Sequence, residues 1–74
     1  MSDSRTLAIE DPAALGLAIR KRRRALGLRQ EDVAAQSGVS VPTVSAIENG
    51  KPTGQIGLVL QICRDIGLRL MVGA

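Results

Sequence analysis

A glycine between two short apolar patterns is the feature that most limits how this chain can fold. Val33 lies before Gly38, while Val44 and Ile47 lie after it, so each side carries an apolar face at helical spacing. A glycine at such a corner can adopt the left-handed conformation that ends a helix. Residues 30–50 are therefore predicted to form two short helices joined by a tight turn.

One further helix is predicted before this pair, from Asp11 to about Leu26. The Asp11 carboxylate can cap free amides, and Pro12 suits the first helical position. Gly27 is expected to be a left-handed stop. The apolar side of this helix is predicted to contain Leu15, Ile19 and Leu26.

A last helix is predicted from about Gln55 to Ile66, and its apolar surface is wider than a one-sided helix needs. The residues after it change period, because apolar side chains now alternate at the spacing of a strand, at Leu68, Leu70 and Val72. A single strand cannot satisfy its own backbone, so we expect it to pair with the same strand of a second copy in a homodimer. The alternative is a frayed apolar tail packed on the last helix.

The expected architecture is therefore all-α, with four helices and a short C-terminal β-strand that pairs across a dimer. We expect a flexible tail at 1–10, the helical domain at 11–67 and the dimerisation strand at 68–74.

Composition argues against several classes of function. The chain has no Trp, Tyr or Phe to stack on the bases of a single strand, and no His. Cys63 is the only cysteine, so neither a zinc site nor an internal disulfide is expected, and it is better explained as a small core residue than as a reactive thiol. Glu31 and Asp32 suit the first turn of a helix rather than a catalytic pair. We expect no enzyme, no cofactor and no metal.

Charge is concentrated in one block. The net charge is +3, and half of the ten basic residues lie at 20–24. Such a block can neutralise phosphates or form the solvated side of a helix, and beside a paired-helix motif the first interpretation gains weight. The chain has neither a signal-peptide pattern nor an apolar run long enough to cross a bilayer, so a cytoplasmic protein without a membrane partner is expected.

One set of residues fits a known family in a single register without a gap: Gln30, Val33, Ala34, Gly38, Val39, Ser40, Val44, Ile47, Glu48, Asn49 and Gly50. This pattern resembles the helix-turn-helix of the Cro/phage-repressor (Xre) family. Within it, most of Pro12–Val72, ending in IGLRLMV, is similar to HipB-like antitoxins. The resemblance implies a repressor that binds a palindromic operator in double-stranded DNA as a dimer and also binds a HipA-like serine/threonine kinase toxin. The alternative is a protein-interaction module or toxin inhibitor without specific DNA binding.

The resemblance also implies the roles of individual residues. The second helix of the motif would enter the major groove, with base contacts expected from Val41, Pro42, Thr43, Ser45 and Ala46. Phosphate contacts are expected from Arg29, Gln30, Ser40, Asn49, Lys51, Arg20 and Arg24. Ser40 could equally be only a helix cap, and Asn49 only a turn residue.

Three arginines have particular expectations by the same resemblance. Arg23 is expected to form a structural ion pair with Glu48. Arg22 stands where relatives are often apolar, so its stem is expected to cover the core edge while its guanidinium reaches water. Arg29 stands where many relatives have a capping Ser or Thr, so it loses that cap and adds a cation.

Overall fold

The computed structural model describes residues 9–51 and 55–71. It contains four helices, α1 (Pro12–Ala25), α2 (Gln30–Ser37), α3 (Val41–Glu48) and α4 (Ile56–Asp65). The predicted all-α, four-helix architecture is confirmed. Most of the expected tail, Val72 and the proline-containing turn before α4 lie outside the described residues.

The ends of α1 follow from its sequence. Asp11 caps the helix by accepting a hydrogen bond from the Ala14 amide at 2.7 Å, and Pro12 begins it. Gly27 ends it with φ +73°. Leu26 was expected on the apolar side, and this was wrong, because the helix ends at Ala25 and the Leu26 side chain is 44% exposed. The glycine turn redirects the chain so that Leu28 packs on the core instead.

The α2–α3 turn has the geometry predicted around Gly38. This residue has φ +71° and ψ +31°, and the Val39 amide donates to the Ala34 carbonyl at 3.0 Å, which closes α2. Ser40 then caps the start of α3, because its hydroxyl oxygen accepts a hydrogen bond from the Thr43 amide at 3.2 Å. The end of α2 and the start of α3 are thus fixed by local hydrogen bonds and separated by only three residues.

The core is aliphatic and draws on all four helices. Its buried apolar members are Ile19, Val33, Ala34, Val44, Ile47, Val59, Ile62, Cys63 and Ile66. Cys63 lies in this core as expected, and burial raises the pKa of its thiol, which keeps it protonated. Gly16 allows α1 to approach α3 closely, since a Cβ there would overlap the Ile47 carbonyl oxygen.

The chain after α4 carries no regular element as far as Met71, the last residue described there. Gly67 turns the chain with φ +71°, and the Leu68 amide donates to the Cys63 carbonyl at 2.8 Å. Leu68 packs on the core, while Leu70 and Met71 are 41% and 81% exposed. The strand expected here stays a prediction, because its expected partner is a second copy.

Candidate nucleic-acid interface

Helix α3 presents a small, weakly polar outer surface. Pro42 is exposed, and Thr43, Ser45 and Ala46 are half-buried. Val41 is also half-buried and packs against the core, so only part of its side chain faces outward. None of these side chains can make the bidentate contacts by which Arg, Gln or Asn read guanine or adenine.

The hydroxyl groups on this surface are held by neighbours. Ser40 Oγ and Thr43 Oγ1 lie 2.9 Å apart in a hydrogen bond, which fixes both side chains at the start of α3. Asn49 Nδ2 donates to Ser45 Oγ at 3.4 Å. Ser40 is therefore a helix cap in the structure, and Asn49 is the last-turn residue that precedes the left-handed Gly50. Hydroxyls oriented in this way can still accept or donate a further hydrogen bond.

A buried polar network lies at the end of α3. Arg23 Nε donates to Glu48 Oε2 at 2.6 Å, and Arg23 Nη2 donates to Glu48 Oε1 at 3.0 Å. Arg23 Nη1 also donates to the Leu28 carbonyl at 2.9 Å. Arg23 thereby connects α1 with the α1–α2 loop and the end of α3.

Gln30 joins the same network from the first turn of α2. Its Nε2 donates to Glu48 Oε1 at 3.1 Å, so the amide nitrogen is oriented by a buried carboxylate. The sequence predicted a phosphate contact for Gln30 and missed this bond, which no local spacing indicates. The second hydrogen on the same nitrogen can donate outward.

The network sets the charge state of its members. Burial alone would raise the pKa of Glu48, but hydrogen bonds from Arg23 and Gln30, with the charges of Arg23 and Arg20, outweigh it and lower that pKa. The hydrogen bond to Glu48 is the main cause that raises the pKa of Arg23. Both groups are therefore charged at neutral pH.

The four cations predicted to contact phosphates are partly or fully exposed. Arg24, Arg29 and Lys51 are exposed, and Arg20 is half-buried. Arg29 precedes α2, and its backbone amide donates to the Asp32 carboxylate at 2.8 Å, which is one half of a capping box; the arginine side chain has no acceptor for the other half. The Arg29 guanidinium lies 3.6 Å from the same carboxylate in an exposed pair, which holds it only weakly.

Arg22 makes a contact that the sequence did not predict. Its guanidinium was expected to reach water; the residue is half-buried, and Nε donates to the Ile66 carbonyl at 2.8 Å. The free carbonyls at the end of α4 provide the acceptor, and α1 brings the arginine across to them. A cation in place of an apolar residue was the only sequence signal for this contact.

The described residues offer little for other chemistry. They contain no group of three metal-ligating side chains. No helix among them is long and apolar enough to span a bilayer. An apolar cleft of about 380 Å³ lies between the start of α1, the end of α3 and the start of α4, and is lined among others by Ile9, Leu15 and Ile56.

Comparison with known proteins agrees with this geometry. The helix-turn-helix family model HTH_3 matches residues 19–70. This chain belongs to that family. It is similar to the uncharacterized HTH-type transcriptional regulator y4mF of Sinorhizobium fredii, with 41% identity over 59 residues that cover 80% of this chain and 78% of the relative. It is also similar to an uncharacterized HTH-type transcriptional regulator of Methanothermobacter thermautotrophicus, with 39% identity over 49 residues that cover 66% of this chain and 71% of the relative.

A solved structure described as an MDT protein has the same fold. It superimposes with a TM-score of 0.83 at 22% identity, and the match covers 93% of this chain and 97% of that one. Together, the family and its relatives make this chain a DNA-binding transcriptional regulator of the helix-turn-helix class.

Proposed function

We propose that this chain is a sequence-specific repressor that binds a palindromic operator as a homodimer, with α3 of each copy in the major groove. The observation that carries this proposal is the α2–α3 corner, in which Gly38 and Ser40 fix a helix whose outer side is partly exposed to solvent. In helix-turn-helix proteins the second helix of such a pair meets the base edges while the first crosses the backbone. Bound in this way, the dimer would occlude a promoter at the nucleoid in the cytoplasm.

The proposed phosphate contacts combine oriented donors with cations. Gln30 and Asn49 offer amide hydrogens from the two ends of the motif, and the cap residue Ser40 lies between them. Exposed charge is available from Arg24, Arg29 and Lys51, with Arg20 beside them. Contacts of this kind fix the register of a protein on DNA without selecting a sequence.

The proposed base contacts are few and short. Thr43 and Ser45 would use their hydroxyls, while Pro42, Ala46 and the outward part of Val41 would touch thymine methyl groups. Because such contacts discriminate weakly, DNA shape must supply much of the specificity, aided by an arginine outside the helix such as Arg29.

Exposed apolar surface at one end of the chain supports the homodimer. Leu70 and Met71 are exposed beyond α4, and on α4 itself Ile56 and Leu60 are 63% and 38% exposed. We propose that Leu68, Leu70 and Val72 form the strand that pairs across the two-fold axis. The division into a tail at 1–10, a DNA-binding domain at 11–67 and a dimerisation strand at 68–74 is part of the same proposal.

The resemblance to HipB-like proteins extends the proposal to an antitoxin that also binds a HipA-like serine/threonine kinase. A kinase-like reading frame beside this gene, and a complex of the two purified proteins in sedimentation velocity, would support it. The second candidate function is a protein-interaction module or toxin inhibitor without specific DNA binding. The absence of long polar side chains on the outer side of α3 favours that candidate more than a typical recognition helix would.

Fluorescence anisotropy with the DNA upstream of the gene tests the repressor role. A carboxylate on α3, in Thr43→Glu, should abolish specific binding because it repels the phosphates that flank the groove. The control is Gly57→Glu, which adds the same charge at the start of α4, where a Cβ meets no atom within 4 Å. Because Ile56 and Leu60 lie close by on α4, sedimentation equilibrium first establishes that this control dimerises as the wild type does. Equal loss of affinity in both variants would contradict docking by α3, and wild-type protein that binds upstream and scrambled DNA equally would favour the second candidate.

A further inference from the structure

We propose that Arg22 is a positioning residue for the segment Leu68–Met71, rather than one of the phosphate contacts of the basic block. The inference rests on the proposed function for its consequence, since that segment is the first part of the proposed dimer strand. Its structural part, however, concerns a single chain and can be tested without a second copy or DNA.

The first observation is the bond that Arg22 makes. Nε donates to the Ile66 carbonyl at 2.8 Å, across 44 residues of sequence. Ile66 is the C-cap of α4, where carbonyls lack helical partners, and its side chain is 2% exposed. A cation at this position also complements the helix dipole. Arg22 therefore binds a carbonyl oxygen whose position is fixed, because Ile66 is buried in the core.

The second observation is the packing of the same guanidinium on the turn. Gly67 has φ +71°, and a Cβ built there would lie 3.1 Å from Arg22 Nη2. The planar group therefore lies against the glycine at which the chain leaves α4. The Leu68 amide closes this turn by donating to the Cys63 carbonyl at 2.8 Å.

The third observation concerns the residues beyond the turn. Leu68 packs on the core, but Arg69, Leu70 and Met71 are exposed and belong to no helix or strand of this chain. The described contacts thus fix the segment at its beginning, at a point that Arg22 touches from α1. Substitution of Arg22 should therefore make the segment more mobile while the core side chains stay in place.

The position of Arg22 on α1 gives this contact a consequence for DNA binding. Arg20 and Arg24, two proposed phosphate contacts, lie on the same helix. Arg22 therefore connects the helix that carries these cations to the segment proposed to set the spacing of the two copies. Binding to operator half-sites about 34 Å apart requires a defined distance between the two copies of the chain.

The test compares Arg22→Met with Arg22→Lys and with two controls on α1. Methionine retains an apolar stem, and lysine retains the charge but loses the planar group that covers Gly67. Lys21→Met removes a neighbouring exposed charge, and Arg24→Met removes a proposed phosphate contact. Urea unfolding of each variant at the same pH identifies any general loss of stability.

The primary measurement is the {1H}-15N heteronuclear NOE of residues 68–71, recorded at a protein concentration below the dissociation constant of any dimer. In Arg22→Met, and to a smaller extent in Arg22→Lys, these values should fall while those of α1–α4 are unchanged. Lys21→Met should leave them at wild-type values. Unchanged values in Arg22→Met would overturn the proposal.

Self-association and salt dependence complete the test. Sedimentation equilibrium should give about tenfold weaker dimerisation for Arg22→Met, because pairing must then order a segment that Arg22 already holds in the wild type, and no change for Arg24→Met. The slope of log K against log salt should become less negative in Arg24→Met but not in Arg22→Met. Both slopes are measured at protein concentrations above the dimer dissociation constant. A reduced slope with unchanged NOE values would assign Arg22 to the phosphates instead. A monomeric wild-type protein would refute the proposed dimer while the NOE result still decides the role of Arg22.

Discussion

The guanidinium of Arg23 and the carboxylate of Glu48 form a two-point ion pair inside the domain. The bonds measure 2.6 and 3.0 Å, and the side chains are only 9% and 2% exposed. Because Gln30 and the Leu28 carbonyl bind the same pair, it joins α1, the α1–α2 loop, α2 and α3. The two helices of the motif are therefore held to α1 through one buried carboxylate.

Removing one partner of this ion pair should lower the free energy of unfolding more than replacing both partners by apolar residues. Arg23→Met leaves Glu48 charged and without its main partner, a change that typically costs about 3–5 kcal/mol. A domain of this size has about 3–5 kcal/mol of net stability, so the single variant should be largely unfolded at 25 °C. The double variant Arg23→Met/Glu48→Leu should fold, because an apolar pair of similar volume is often neutral or stabilising.

Far-UV circular dichroism and urea unfolding check this prediction. A single variant within about 1 kcal/mol of the wild type would mean that water reaches Glu48 and replaces Arg23. The double variant should also show weaker DNA binding, because Gln30 loses the carboxylate that orients its amide.

The same pair predicts a loss of stability in acid. The pKa of Glu48 is lower in the folded protein than its ordinary value, so the unfolded chain binds the proton more readily. The stabilisation is thus fully present above the unfolded pKa of about 4.3 and is lost as pH falls through the folded pKa. Urea unfolding between pH 7 and pH 3 should show a decline that is shallower in the double variant. Equal pH dependence in both proteins would contradict this role for Glu48.

The sequence predicted the helices well because their ends are encoded locally. Asp11 with Pro12, Gly27, Gly38 and Ser40 each act within three or four residues, and each stands at a helix end in the structure. The prediction for Leu26 was wrong because the apolar spacing continues one residue beyond the end of α1, where the side chain no longer faces the core.

Long-range polar contacts were harder to predict. Only the Arg23–Glu48 pair had a counterpart in the resemblance, whereas the bonds from Gln30 to Glu48 and from Arg22 to Ile66 depend on how helices cross. The proposed base and phosphate contacts depend in addition on the position of DNA, which a free chain does not define. The sequence therefore predicts the motif more reliably than the partner of each side chain.

Two glycines offer a matched test of helix packing. Gly16→Ala would place a methyl group against the Ile47 carbonyl oxygen and 2.7 Å from that of Glu48, so α1 and α3 must separate. Overpacking of this kind typically costs about 1–3 kcal/mol. Gly57→Ala, in α4, meets no atom within 4 Å and should stabilise the protein by about 0.4–1 kcal/mol. The thermal unfolding temperature, followed by circular dichroism, should shift in opposite directions in the two variants. An unchanged or raised unfolding temperature in Gly16→Ala would contradict the close crossing of α1 and α3.

The proposed phosphate contacts predict the salt dependence of operator binding. If the dimer neutralises about six phosphates, log K should fall against log salt with a slope of about −5.4, since each contact contributes about −0.9. Arg24→Met removes one exposed cation from each copy, so about four contacts remain and the slope should be near −3.6. Thr43→Val replaces a proposed base contact with an uncharged side chain of similar shape, and should lower the preference for operator over scrambled DNA while leaving the slope unchanged. Anisotropy titrations from 50 to 300 mM salt measure both quantities. A wild-type slope near zero would remove the electrostatic part of the proposed function, and an equal reduction in Lys21→Met would mean that the basic block acts as a diffuse charge rather than through Arg24.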